Sequence, residues 1–242
     1  ELTFREDGGA LPPVRISGQN GSCVISGSVD RVDLYEQGGR YSCRVVDYKT
    51  GRKDFDYASI LCGEGLQMLL YLFALRQSGE RYYGKPIDPA GVLYVPARAD
   101  MERVDAGADE AVCEAAHAKA RRRKGLVLND AAILHAMDAQ DTPEYLPCKW
   151  KKDELTGDIA SRAQFAELEA FVQQKVADMT DEMFVGRVTP DPIIRGPQVS
   201  SCQYCDFAAA CHRDLGMQER RNIRAVRADE FWSELERRNG HG

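Results

Sequence analysis

The sequence predicts an α/β fold: a mixed β-sheet flanked by helices, followed by a C-terminal cysteine-rich tail. Two alternating, apolar-rich runs, residues 23–29 and 41–49, flank the turn residues Gln37-Gly38-Gly39, the pattern of a hairpin. A long segment of helical apolar period, residues 57–77, comes next. A third strand-like run, residues 90–95, is closed by Pro96, and strand–helix–strand order after a hairpin gives a sheet of mixed direction.

Residues 1–22 read as irregular, broken by Gly8-Gly9 and Pro12-Pro13, with Val14-Arg15-Ile16 as a short edge strand. In the first helix Leu66, Leu69, Leu70, Phe73 and Leu75 make a wide apolar face, and Gly79 ends it. Gln67 and Tyr71 are spaced i, i+4 and share one face. Residues 97–107 show no period. Residues 109–124 are Ala-rich and helical; the basic turn Arg121-Arg122-Arg123-Lys124 complements the helix dipole, and Gly125 is the expected stop. Asn129 is expected to cap a shorter helix to Met137. Residues 138–158 are polar and turn-rich, which predicts surface. Ser161-Arg162-Ala163-Gln164 is a capping-box pattern opening a long helix to about Met183, with Phe165, Leu168, Val172, Val176 and Met179 on one stripe. Pro190 and Pro192 keep residues 186–195 extended.

The 242 residues suffice for one large or two small domains, and 43% hydrophobic with 29% charged residues is ordinary globular composition. The expected division falls at residue 198, with a cysteine-rich tail and C-terminal helix over 199–242. No run of eighteen apolar residues occurs, and the charged start, Glu1 to Asp7, has no signal-peptide core. The cytoplasm is the expected compartment. A net charge of −6 does not announce a polyanion partner, although a cleft can be locally positive in an acidic chain. Eight cysteines in such a chain point to metal ligation or burial, and Cys23, Cys43, Cys62, Cys113 and Cys148 are scattered without ligand spacing.

The chemistry concentrates in the hairpin. Asp30 ends the first run; Asp47 and Lys49 sit in the second, two apart and therefore on one face, while Tyr48 points away. Two carboxylates and an ammonium converging at one place suit phosphodiester cleavage. Asp30 and Asp47 can hold Mg²⁺ (or Mn²⁺), a hard cation satisfied by few carboxylates, substrate oxygens and waters. Lys49 can orient the attacking water or stabilise a phosphate as a point charge. In the tail, Cys202, Cys205 and Cys211 form C-x2-C-x5-C. Three thiolates are one short of a tetrahedral zinc site or a cubane cluster, and the adjacent His212 could complete a zinc set.

Gly27-x-Val29-Asp30, Asp47-Tyr48-Lys49-Thr50 and Gln67-x-x-x-Tyr71 together resemble the RecB-like branch of the PD-(D/E)xK nucleases. The resemblance continues through Gly91-Val92-Leu93-Tyr94-Val95, the K-G-L-V-L-N-D stretch from Lys124, the A-M-D ending at Asp138, and the three tail cysteines. Over nearly the whole chain it is to the nuclease region of the AddB family, the B-type components of bacterial AddAB helicase–nucleases. It implies a PD-(D/E)xK-like fold and a metal-dependent exonuclease acting on single-stranded DNA. The family processes double-strand breaks for recombination, and its implied partner is the A-type component of the same helicase–nuclease. Asp30 and Asp47 then correspond to metal ligands and Lys49 to the catalytic lysine, with Gln67 and Tyr71 beside the metal and contacting DNA. Cys202, Cys205 and Cys211 correspond to three ligands of a [4Fe–4S] cluster whose fourth cysteine lies upstream of the nuclease strands. The chain reads as a C-terminal piece of a longer protein, so the cluster is expected to be incomplete in this segment, and the segment alone to lack full activity. Two other readings compete: a catalytically silent DNA- or partner-binding module with a metal-stapled tail, and a zinc-binding interaction domain using the tail alone.

Overall fold

A computed structural model describes residues 1–51, 53–98, 103–140, 143–152, 154–187, 189–195, 199–211 and 221–239. The chain opens with four short strands, β1 (Leu2–Phe4), β2 (Val14–Ser17), β3 (Ser22–Ile25) and β4 (Gly27–Val29). β1 pairs antiparallel with β4, and β2 with β3. The hairpin consists of β5 (Arg31–Gln37) and β6 (Arg40–Lys49), joined through Gly38 and Gly39. Its turn is the expected one, but its first strand is not. The run 23–29 pairs with the N-terminal strands instead: the expected edge strand at Val14–Ile16 forms as β2, and Leu2 and Phe4 add buried partners from a stretch that reads as irregular.

Helices α1 (Tyr57–Cys62) and α2 (Gln67–Tyr83) replace the single expected helix. Gly63 adopts φ 89° and caps α1, its N–H donating to Ile60 O, so the apolar period runs across a real break. Gly79 does not end α2. A Cβ there would overlap Ile87 Cδ1, so this glycine serves close packing, and the helix stops at Gly84.

β7 (Ile87–Pro96) follows, then α3 (Glu110–Arg121), capped by Asp109, whose side chain accepts from Val112 N. β8 (Lys124–Leu128) begins where the sequence suggested only a helix stop; Gly125 is a strand residue whose Cβ would overlap Val92 O. α4 (Ala131–Met137) is capped by Asp130 rather than Asn129. The stretch expected as surface instead holds the hairpin β9 (Cys148–Lys151) and β10 (Glu154–Gly157), and buries Leu146, Cys148 and Asp138. Asp138 is satisfied in its buried place by accepting from Glu144 N and Tyr145 N, both at 2.9 Å. β11 (Ile159–Ala160) leads into α5 (Arg162–Phe184), whose capping box on Ser161 is formed as expected. The remainder is β12 (Ile193–Arg195), β13 (Val199–Ser200), a 3₁₀ turn (Ser201–Tyr204), α6 (Ala208–Cys211), β14 (Arg221–Asn222) and α7 (Ala228–Asn239).

The central sheet has the order β11-β8-β7-β6-β5. β6 and β7 are parallel, as the α1–α2 crossover between them requires, while β5/β6 and β7/β8 are antiparallel. This is the mixed sheet flanked by helices that the sequence predicts. Alternation divides its side chains cleanly. Cys43, Val45, Val92 and Leu126 join the larger core with α2 and α5, whereas Val46, Leu93 and Val127 join Leu134, Leu146 and Cys148 on the opposite face. α2 is the most buried element: Leu69, Leu72 and Leu75 are almost wholly enclosed, each contributing about 1.5–3 kcal/mol of apolar burial. α7 returns Phe231, Trp232 and Leu235 to this same core, with Phe231 against Tyr57 at 4.9 Å between ring centroids.

Candidate active site

Asp47 and Lys49 continue the row of Cys43 and Val45 along β6, so they face the α2 side of the sheet. The side chain of Asp47 is 17% exposed and that of Lys49 37%. Lys49 Nζ lies 2.6 Å from Asp47 Oδ2, yet this oxygen, buried from solvent, has no hydrogen-bond partner. The oxygen is charge-compensated by the ammonium. A carboxylate oxygen accepts more than one partner, so Asp47 keeps capacity for a cation beside the ammonium.

Asp30 lies at the bend between β4 and β5. The β5/β6 ladder ends where Arg31 pairs with Val46, so Asp30 stands just outside it, next to the Asp47 end of β6. Its carboxylate is tied there, Asp30 Oδ2 accepting from Tyr48 N at 2.9 Å. On the other face Arg31, Asp33, Arg44 and Tyr48 form a separate polar group. Burial pushes the Asp33 carboxyl up, but hydrogen bonds from Arg31 and Arg44 outweigh it and hold the group below the usual carboxylate range.

Beside Asp47, on the neighbouring strand, is Tyr94. Burial, and then the charge of Asp47, push its phenol up to about 12, so it stays a neutral donor at physiological pH. Gln67 and Tyr71 are joined as the spacing suggests, Gln67 Nε2 donating to Tyr71 Oη at 3.2 Å. Their exposures differ. Gln67 is exposed, while Tyr71 is 3% exposed and stacked on Phe4, with ring centroids 5.2 Å apart and planes within 7°. A Cβ on Gly27 would overlap the Tyr71 hydroxyl, which explains why glycine precedes Val29-Asp30. Tyr71 is thus the floor beneath β4, and Gln67 is the member of the pair that reaches solvent.

A cleft opens at the ends of β6 and β7, lined by Lys49, Lys53, Tyr94, Arg98, Lys119 and Lys124 among others. Apart from Lys49 and the run at Lys124, these cations carried no signal of the site in the sequence, since surface lysines on a loop and a helix look alike wherever they end up. Phe4 was also missed; only the short alternation Leu2-Thr3-Phe4 announces it.

The tail cysteines lie on the 3₁₀ turn, the residues after it and α6, with Cys205 exposed and Cys202 and Cys211 partly buried. None of the eight cysteines forms a disulfide. Among the described residues no group of three or more His, Cys, Asp or Glu side chains is gathered as a metal centre. His212 lies outside the described residues. No helix among them is long and apolar enough to cross a membrane.

A mixed sheet carrying Asp and Asp-x-Lys at one end, with a Gln-x-x-x-Tyr helix beneath, defines a nuclease-type fold. Comparison with known proteins agrees: residues 2–212 match the PD-(D/E)XK nuclease superfamily, and the chain belongs to that family. Its similarity to individual proteins is more specific. It is 32% identical over 249 aligned residues to the B component of the ATP-dependent helicase/deoxyribonuclease of Symbiobacterium thermophilum, covering 100% of this chain and 21% of that protein. It is 33% identical over 242 residues to the corresponding B component from Acetivibrio thermocellus, covering 96% and 21%. For that of Ruminiclostridium cellulolyticum the values are 32% over 219 residues, 88% and 19%. The chain spans about a fifth of the length of these relatives.

Proposed function

We propose that this chain is the nuclease module of a larger helicase–nuclease component, hydrolysing phosphodiester bonds of single-stranded DNA in the cytoplasm during processing of double-strand breaks. The observation that carries the reading is the Asp47–Lys49 pair at 2.6 Å near the end of β6, with the Asp30 carboxylate held beside it on Tyr48 N. Asp30 and Asp47 would hold Mg²⁺, and two carboxylates suffice for a cation that keeps waters and substrate oxygens as its other ligands. When bound, the metal supplies an activated water and offsets phosphate charge. The chain's own residues do the rest. Lys49 places a positive charge where an anionic phosphate oxygen must sit. The Tyr48 N–H fixes the Asp30 carboxylate, and Gln67 presents an amide at the rim to position the strand. The partner for the intact protein is the A-type component of the same helicase–nuclease, a reading supported by the helicase/deoxyribonuclease name of the relatives.

A second reading has its own observation. Among the described residues the two carboxylates acquire no third His, Cys, Asp or Glu. For the segment by itself this favours a catalytically silent module that binds DNA or a partner protein. One experiment separates the two: cleavage of labelled single-stranded DNA by the intact protein, with Mg²⁺ and with chelator, for wild type and Asp47→Ala. The first reading expects metal-dependent cleavage that Asp47→Ala abolishes while DNA binding persists, because a metal ligand is lost and the phosphate-contacting surface is not. Near-normal cleavage by the variant would move the chemistry elsewhere, and binding without cleavage by the wild type would establish the second reading.

A further inference from the structure

The cleft at the ends of β6 and β7, of about 150 Å³, has an unusual charge balance for this chain. Among the described residues, six lining side chains, Lys49, Lys53, Arg98, Lys119, Arg122 and Lys124, are cationic, and one, Asp54, is anionic, in a protein of net charge −6. They arrive from three places: the end of β6 and its following loop, the segment just after β7, and the last turn of α3 with the start of β8. Core packing does not account for α3, which has no buried residue. Its C-terminal cations offset the helix dipole, but this would be served equally by a turn facing open solvent.

Among the described residues, internal carboxylates pair with only two of the six cations, Lys49 with Asp47 and Lys124 with Asp54. Lys124 Nζ is 3.5 Å from Asp54 Oδ1, and Lys53 Nζ lies 6.0 Å from the Tyr94 ring centroid. Arg98 and Lys119 have no carboxylate at ion-pair distance among the described residues. Gathering like charges in one concavity sets up mutual repulsion that a polyanion's counter-charge relieves. The concentration begins at Lys49, where the proposed chemistry lies.

We infer that this cleft is a phosphate track for one DNA strand, with Lys53, Arg98 and Lys119 as backbone-contacting residues that carry the strand to or from Lys49. The inference rests on the nuclease reading of Asp47 and Lys49 and adds the path of the substrate beyond them. Contacts of this kind position the strand and read no sequence. Each cation that meets a phosphate releases counterions, so binding through the track depends steeply on salt.

The test is lysine footprinting of the intact protein by acetylation and mass spectrometry, without divalent metal, with and without a saturating single-stranded oligonucleotide. Lys53 and Lys119 should become protected and recover at high salt. Lys85, paired with Glu36, should not change, since it precedes the other end of the ten-residue β7, roughly 30 Å away. In parallel, Lys53→Gln/Arg98→Gln/Lys119→Gln should reduce the slope of log K against log salt by about 2, at roughly 0.7 per phosphate contact for single strands. Full reactivity of Lys53 and Lys119 on DNA-saturated protein overturns the track, whatever the variant does. Equal protection by a blunt duplex overturns the single-strand assignment. Protection without cleavage in Mg²⁺ keeps the track and removes the nuclease reading; cleavage with unprotected lysines does the reverse.

Discussion

Gly27→Ala tests whether the Gln67–Tyr71 pair is held from below by β4. The added methyl would overlap the Tyr71 hydroxyl and stand 2.8 Å from Cζ and 3.2 Å from Cε1. The ring cannot retreat freely, because it is 3% exposed and stacked on Phe4. Overpacking of this kind costs about 1–3 kcal/mol. If the ring tilts, the Gln67 hydrogen bond goes too, at about 1 kcal/mol. Restricting the unfolded chain returns about 0.4–1 kcal/mol, leaving a net destabilisation of about 1–3.5 kcal/mol. Tyr71→Phe alone removes only the hydroxyl and should cost about 1 kcal/mol. In the double variant the worst overlap is gone, so its cost should fall at least ~1 kcal/mol short of the sum. Urea unfolding of the four proteins measures all three differences. Additivity within ~0.5 kcal/mol would refute the contact, and with it the view of Gly27 as the residue that makes room for Tyr71.

Three further outcomes are expected. Ser161→Ala removes the hydroxyl that accepts from Gln164 N at 3.1 Å and should lower stability by about 1 kcal/mol, read as a shift of the urea midpoint at unchanged slope. The backbone N–H groups of Asn20 and Gln19 hold the Asp181 carboxyl below the usual range. Its stabilisation is therefore present above the ordinary Asp value of about 4 and is lost as pH falls through the lower folded value; Asp181→Asn should flatten that acid limb in a pH series of melting temperatures. For the iron–sulfur cluster that the resemblance implies in the intact protein, Cys205→Ala should lose both iron and thermal stability, because a ligand set joining distant segments makes metal binding part of folding. A colourless wild type with zinc in the tail would replace the cluster and leave the hairpin site untouched.

Local regularities carried much of this in one dimension. Alternation along residues 41–49 is enough to put Asp47 and Lys49 on one face, because a strand's period is two wherever the strand sits. The capping box at Ser161 and the turn at Gly38-Gly39 were legible for the same reason: their partners are a few residues away. What the chain order could not convey is which strand lies beside which. The run 23–29 looks like the hairpin partner of β6, but Phe4 and Leu2 bind it into the N-terminal strands, and Arg31–Gln37, too polar to stand out, takes the place in the sheet. β8 was hidden because its first two residues are also a plausible helix end. The cationic cleft is wholly tertiary. Lys53, Arg98 and Lys119 lie on three separate segments, and the burial of α2 against β6 and β7 fixes where those segments meet. Periodicity sets the face a side chain takes; only the packed core sets its neighbours across the chain.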